Sequence, residues 1–133
     1  MADLKNKVNS SLFSNALDLI SVEYDYSKDG GAIGVLDMIE MKHAVVIHRA
    51  WVKVSDSVLS GGAATVEIGV KGGDTDAVLA ASAPAALVAP SVTDGDAASK
   101  ALYLASGAIL SMEIKVAALT AGKVELIILA EKF

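Results

Sequence analysis

The sequence predicts an all-β protein: an antiparallel β-sandwich with jelly-roll-like or Greek-key connections, preceded by an N-terminal arm or short helix. About seven or eight segments alternate apolar and polar residues with a period of two, as strands with one buried face do. Glycine-rich or Asp-Gly turns separate these segments at short intervals, which is typical of a sandwich. The clearest segment is 65–71, in which Val66, Ile68 and Val70 share one face.

Composition sets limits on the class of protein. A chain of 133 residues with 53% hydrophobic but only 5% aromatic residues predicts one domain with an aliphatic core. The net charge is −5 and Arg49 is the one arginine beside ten lysines, so we expect no nucleic-acid partner. The absence of cysteine excludes disulfides and thiolate chemistry. No apolar stretch has the length or the flanks of a secretory signal or a membrane helix, so we expect no membrane partner.

The N-terminal segment, residues 1–17, carries Leu4, Val8 and Leu12 at helical spacing, but several serines and asparagines weaken the helical pattern. A docked arm and a short helix both fit this pattern. The sandwich domain is predicted to span residues 18–133.

The strands of the first half follow in order. Residues 19–26 alternate as a strand and 27–31 form a turn. Residues 33–41 are expected to be extended, although their faces are mixed and a short helix also fits. The longest strand candidate is 44–56, with Val46, His48, Ala50, Val52 and Val54 on one face and Val45, Ile47, Arg49, Trp51 and Lys53 on the other. Apolar residues on both faces indicate that each face is covered.

The middle of the chain contains the glycine loops. Residues 60–64 are predicted to form a hairpin loop before strand 65–71. Asp74 or Thr75 is expected to cap a helical turn over residues 77–81. Residues 82–98 have low complexity and predict a flexible excursion over the surface.

Three strands are predicted at the end of the chain, over 100–105, 109–116 and 123–131, with Ser-Gly and Thr-Ala-Gly as the turns between them. The predicted core gathers the residues that share the inward phase: Val66, Ile68, Val70, Leu110, Met112, Ile114, Val124, Leu126 and Ile128. Ile127 and Leu129 fall on the opposite face of the last strand. This second apolar face predicts contact between subunits.

The candidate sites for chemistry have simpler explanations. His43 and His48 would project from opposite faces of one strand, so they are expected to be packing or surface residues. Asp74 and Asp76 offer oxygen ligands to calcium, but their turn lacks the spacing of an EF-hand. No nucleophile elbow and no phosphate-binding glycine motif occurs. We therefore expect no enzyme activity, no metal and no cofactor.

Trp51 has two interpretations. The general burial of tryptophan favours a place in the sandwich core, whereas an exposed Trp51 would stack on a sugar or anchor a partner protein.

Three stretches carry a resemblance to a known family: 43–56, an apolar strand; 64–79, which runs through Ile68-Gly69 to a Gly-Asp-Thr-Asp-Ala turn; and 118–128, which begins Ala-Leu-Thr-Ala-Gly-Lys. Together they resemble the capsid decoration, or auxiliary head, proteins of phages, which are built on a β-sandwich. The resemblance covers about two thirds of the chain, from residue 43 onward, and its motifs are structural.

The resemblance implies a structural virion protein that is made in the host cytoplasm and binds the major capsid protein at the capsid surface. It also implies a homo-oligomer, for which a trimer suits threefold-type lattice sites. The candidate interface residues are Leu4, Val8, Leu12, Trp51, Ile127 and Leu129.

Two alternatives belong to other classes. A carbohydrate- or receptor-binding module of a tail or fibre requires Trp51, Tyr24, Tyr26 or Tyr103 exposed together on one surface. A calcium-assisted hydrolase requires another carboxylate beside Asp74 and Asp76.

Overall fold

Two antiparallel sheets pack face to face in a computed structural model, which describes residues 17–96 and 101–133. The strands are β1 (Asp18–Asp25), β2 (Gly34–Glu40), β3 (Val45–Ser60), β4 (Thr65–Val70), β5 (Leu79–Ser82), β6 (Ser91–Asp94), β7 (Leu102–Leu104), β8 (Ile109–Lys115) and β9 (Leu119–Lys132). A four-residue helix, α1 (Tyr26–Asp29), follows β1, and a short 3₁₀ helix (Pro84–Ala86) precedes β6. The predicted all-β sandwich is confirmed.

The first sheet has the strand order β1-β9-β3-β6, and β7 pairs with β3 beside β6. The second sheet has the order β2-β8-β4-β5. Most consecutive strands lie in opposite sheets, so the chain crosses repeatedly from one layer to the other. β9 lies between β1 and β3 and pairs along most of its length with both.

The core fills the space between the two sheets. Eight of the nine predicted core residues are fully buried, and the ninth, Val70, is half-buried. Small and branched aliphatic side chains account for most of this layer, as the low aromatic content predicts. The prediction succeeded because β4, β8 and the second half of β9 keep an unbroken period of two.

The predicted faces of β3 are wrong at its start. Ile47 is fully buried together with Ala50, Val52 and Val54, and His48 is exposed. The register against β9 shifts between Ile47 and Arg49, so one extra residue stands in β3 at that point. A bulge of this kind reverses the phase of the residues before it.

The predicted helical turn over 77–81 is also wrong. Leu79 begins β5 and lies opposite Ile68 of β4, and the Val78 amide donates to the Ile68 carbonyl at 2.9 Å. Ala77, Val78 and Leu79 are all buried. Pairing with β4 therefore overrides the helical preference of the alanines.

Residues 82–98 were predicted to form an excursion over the surface. The structure describes this segment as far as Asp96, and part of it packs against the sandwich. Leu87 is buried, and its carbonyl accepts a hydrogen bond from the Val58 amide at 3.0 Å. Residues 91–94 form β6 on the edge of β3. This segment covers the side of the sandwich where β5 and β6 lie.

Two predicted turns have different roles in the structure. Residues 61–64 do connect two strands, but β3 and β4 lie in different sheets, so this connection is not a hairpin. The Thr-Ala-Gly stretch lies inside β9, which begins at Leu119. Gly122 has a φ of +144°, and β3 is irregularly paired opposite it, so the strand bends there without ending.

Candidate functional site

The outer face of the first sheet carries the second apolar surface that the sequence predicts. Ile127 and Leu129 alternate with the buried residues Leu126, Ile128 and Ala130, so both point away from the core. The two are half-buried because side chains on the neighbouring strands flank them.

The register places other apolar residues in the same surface. Leu129 lies opposite Leu19 of β1, and Ile127 lies opposite Trp51 of β3. Val92 of β6 follows one strand further out, opposite Lys53. Leu19 is 67% exposed and Val92 is 64% exposed. We call Leu19, Trp51, Val92, Ile127 and Leu129 the outer patch.

Trp51 belongs to this patch and not to the core. It stands between the buried Ala50 and Val52, so its ring projects outward, where it is half-buried. The Arg49 guanidinium carbon lies 4.8 Å from the ring centroid, and an Arg49 Nη donates to Asp94 Oδ1 at 2.6 Å. The tryptophan face and the carboxylate together fix the arginine at the border of the outer patch.

An aromatic pair lies towards one end of the same sheet. Tyr103 and Phe133 pack edge to face with ring centroids 5.0 Å apart, and both are largely exposed. His48 Nε2 lies 3.5 Å from Glu131 Oε2 beside this pair. His43 precedes β3 and His48 lies within it, so the two histidines do not lie in one strand as the sequence predicted.

The aromatic residues of the carbohydrate-binding alternative are not brought together. Tyr24 is buried, and its hydroxyl donates to the Gly30 carbonyl at 2.6 Å. Tyr26 lies in α1, next to the Lys123 end of β9, whereas Tyr103 lies near the Glu131 end. Eight residues of strand, about 26 Å, separate these two ends. No shared stacking platform forms from these residues.

The acidic turn does bring a third carboxylate close. Glu67 is buried beneath the 71–78 loop, and Thr75 Oγ1 lies 3.4 Å from its Oε1. A hydrogen bond with Asp74, together with the negative charge of that residue, raises the pKa of Asp76. Lys115 Nζ lies 2.6 Å from Glu67 Oε1, and this hydrogen bond raises the lysine pKa.

Lys115 therefore already neutralises Glu67, the third carboxylate that a calcium site at this turn would need. Among residues 17–96 and 101–133, no cluster of three or more histidine, aspartate or glutamate side chains has an arrangement that holds a metal ion. The same described residues include no helix long and apolar enough to cross a membrane.

Two members of the outer patch, Leu19 and Val92, were not among the predicted interface residues. The sequence could have indicated Leu19, because it is an apolar residue on the face of β1 that otherwise carries polar side chains. The sequence contained no indication of Val92, because the strand to which it belongs was predicted as a loop. The candidates Leu4, Val8 and Leu12 lie outside the described residues.

Comparison with solved structures finds this fold in phage capsids. A chain in the acid-stable capsid of Helicobacter pylori bacteriophage KHP30 matches with a TM-score of 0.64 and 16% identity, over 88% of each chain. A chain in the capsid asymmetric unit of cyanophage Pam1 matches with a TM-score of 0.63 and 11% identity, and the match covers 88% of this chain and 85% of that one. A chain in the capsid of Ralstonia phage GP4 matches with a TM-score of 0.56 and 15% identity, and the match covers 87% of this chain and 85% of that one.

These similarities confirm the predicted resemblance at the level of the fold: the chain has a β-sandwich of the type found in phage capsid structures. No protein-family model matches the sequence. No curated protein matches it either.

Proposed function

We propose that this protein is a structural, non-enzymatic component of a phage virion that binds the major capsid protein at the capsid surface as a decoration or cement protein. The observation that carries the proposal is the fold, shared over about 88% of the chain with chains from three phage capsids. The net charge of −5 supports a protein partner over a nucleic acid.

The outer patch supplies the proposed contact surface. Its members are apolar, adjacent across four strands and flanked by Arg49, Lys53, Asp94 and Glu125. An apolar centre with a charged border is the usual composition of a protein interface. Trp51 is the proposed anchor, because half-buried tryptophans fixed by their neighbours lose little entropy on binding and rank high among interface hot spots.

Binding to capsids assembled without this protein tests the proposal. The purified protein should co-sediment with such capsids, and the double variant Ile127→Lys with Leu129→Lys should bind about tenfold more weakly or worse. Trp51→Ala should weaken binding in the same direction. Ile33→Lys is the matched control, because Ile33 is 60% exposed and lies outside the outer patch. The proposal is wrong if the wild-type protein does not bind, or if the double lysine variant and Trp51→Ala both bind as it does.

We also propose that the protein is a homo-oligomer, with a trimer as the state that the resemblance favours. Analytical ultracentrifugation at tens of micromolar should show one discrete oligomer. The lysine substitutions at 127 and 129 should shift it towards monomer while circular dichroism keeps its strand signal, because neither side chain contributes to the core between the sheets. A wild-type protein that sediments as a monomer would contradict this part of the proposal and leave capsid binding to be judged by co-sedimentation.

A further inference from the structure

A groove opens at the start of β6, where the pairing of this strand with β3 begins. It has a volume of about 470 Å³ and is lined by residues of the two strands and of the turn before β6: Lys53, Val54, Ser55, Pro90, Ser91 and Val92. Val92 also belongs to the outer patch and lies directly opposite Lys53 in the register of β3 and β6. The groove therefore continues the surface that is proposed to contact the capsid.

The groove lies in a part of the fold that is described without a gap, since both β3 and the turn that leads into β6 are complete. The first strand, β1, starts on the opposite edge of the same sheet, where Asp18 is paired with Ala130. Ala130 in turn lies opposite Ile47, whereas the groove lies beside Val54 of the same strand. The start of β1 is thus separated from the groove both across the sheet and along it.

Lys53 is the cation that the groove contributes. Two neighbouring cations of the outer face are already occupied, because an Arg49 Nη donates to Asp94 Oδ1 at 2.6 Å and Lys123 Nζ lies 3.7 Å from a carboxylate oxygen of β1. Lys53 is exposed and lies opposite Glu125 in the register, yet no carboxylate oxygen of the described residues lies within 4.0 Å of its Nζ. Its ammonium group is therefore available to a carboxylate of another protein.

Ser91 supplies a second polar group. Its Oγ is buried and has no hydrogen-bond partner in the described part of the chain. A buried hydroxyl without a partner is unfavourable, and native structures seldom retain one without a reason. Since Ser91 and Lys53 line the same groove, an acceptor oxygen bound there would lie near both.

We propose that the groove binds an acidic segment of the major capsid protein, with a carboxylate of that segment on Lys53 Nζ and an apolar side chain against Pro90 and Val92. One ammonium group matches the single charge of a carboxylate. The remaining lining is largely apolar, which suits a protein segment better than a free anion. The inference rests on the proposed function, because the groove is continuous with the outer patch.

Zero-length crosslinking tests the contact. A water-soluble carbodiimide activates a carboxylate, and a lysine amine in direct contact with it then displaces the urea to form an amide. In the complex with capsids assembled without this protein, we expect an amide between Lys53 and an aspartate or glutamate of the major capsid protein, identified by mass spectrometry of the digest. Lys53→Arg should lose this crosslink, because a guanidinium group does not react.

Substitutions measure what each group contributes to capsid binding. Lys53→Met keeps most of the apolar stem and removes the charge, so binding should weaken about tenfold and depend less on salt. Lys53→Arg should bind more tightly than Lys53→Met, because it restores the charge. Lys42→Met is the matched control and should bind as the wild-type protein does, because the Lys42 side chain is 77% exposed and lies outside the groove and the outer patch.

Ser91→Ala tests the hydroxyl. Capsid binding should weaken about threefold, as expected for one lost hydrogen bond. The melting temperature of the free protein should not fall, because the Ser91 Oγ has no partner to lose among the described residues. Capsid binding equal to that of the wild-type protein would overturn the part of the inference that concerns this hydroxyl.

The outcomes separate this inference from the proposed function. Wild-type protein that does not co-sediment with capsids contradicts the proposed function, and the inference with it. Wild-type protein that binds capsids overturns the inference alone if Lys53 forms no amide, or forms one only with Glu125 of its own chain or with a second copy. Equal capsid binding by the wild-type protein and Lys53→Met also overturns the inference alone.

Discussion

Ile127 and Ile128 are consecutive isoleucines in β9 with different roles. Ile128 is fully buried between the sheets, whereas Ile127 points outward beside Trp51 and is half-buried. Removing methyl groups from a fully buried site costs stability through lost contacts and the cavity that remains. The outward site lies outside the layer between the sheets, so a substitution there leaves that core intact. Burial of each side chain therefore separates the residues of the core from those of the proposed interface.

Ile114 provides the test of the core assignment. It is fully buried in β8, so Ile114→Ala should lower the free energy of unfolding by about 2 to 5 kcal/mol. Val35 of the neighbouring strand β2 is 47% exposed, and Val35→Ala should change that free energy by less than about 0.5 kcal/mol. Urea denaturation followed by tryptophan fluorescence measures both. A loss below about 0.5 kcal/mol for Ile114→Ala would mean that the assigned faces of β8 are wrong.

Tyr24 links stability to alkaline pH. Burial, with smaller contributions from Asp29, Tyr26 and Asp25, raises the pKa of Tyr24 from 10.0 to about 12. A group whose pKa is raised in the folded state favours folding below its unfolded pKa, so this contribution is present below pH 10 and is lost as the pH rises towards about 12.

We therefore expect the unfolding free energy to fall between pH 10 and pH 12, and Tyr24→Phe to reduce the fall attributable to tyrosine ionisation. Denaturation at several pH values, with tyrosinate absorbance recorded in parallel, measures this. An identical pH dependence in the wild-type protein and Tyr24→Phe would contradict the assignment.

At the scale of the element, β9 forms the centre of the first sheet by pairing with both β1 and β3. It is 14 residues long and bends at Gly122, where its pairing with β3 is irregular. A Cβ at this position would lie 3.0 Å from Val58 Cγ2 and 3.2 Å from Val58 Cα, and the φ of +144° strains any other residue. The Thr-Ala-Gly stretch thus bends a strand where the sequence predicted a turn.

Gly122→Ala should destabilise the fold by about 1 to 3 kcal/mol, the usual cost of a residue held in a sparsely populated backbone region. Gly61→Ala is the matched control, because nothing lies within 4 Å of its added Cβ and its φ is not in the left-handed range. Differential scanning calorimetry should place the melting temperature of Gly122→Ala clearly below that of Gly61→Ala. Equal melting temperatures would show that β9 does not need the bend.

At the scale of the whole molecule, packing between two sheets provides the framework, and the acidic turn has a structural explanation. The turn folds over β4, where a side chain on Gly69 would collide with the backbone of Asp74 and Thr75. Glu67 beneath the turn is paired with Lys115. The carboxylates therefore take part in closing the turn, and no described acidic or histidine cluster is arranged to hold a metal.

We therefore expect thermal stability to be independent of metal. The melting temperature should be the same after dialysis against a chelator and in calcium, with sodium chloride at matched ionic strength as the control for screening. A rise in melting temperature specific to calcium would contradict this and return Asp74 and Asp76 to consideration as ligands.

The sequence alone determined the fold class and most of the core. In β4, β8 and the second half of β9 the alternation is regular, and a period of two specifies which side chains share a face without knowledge of the partner strand. It also predicted the outward placement of Ile127 and Leu129. These properties are local, because the pleat of a single strand produces them.

The tertiary structure decided what depends on pairing between distant segments. The bulge near His48 is defined by the pairing of β3 with β9. It reverses the predicted faces of β3 in the part of the strand before His48. Residues 79–82 form a strand because they pair with the edge of β4. The placement of Trp51 in the outer patch, beside Ile127, depended on the strands next to it. Backbone hydrogen bonds between strands far apart in the chain settle such features, and no short stretch of sequence contains both partners.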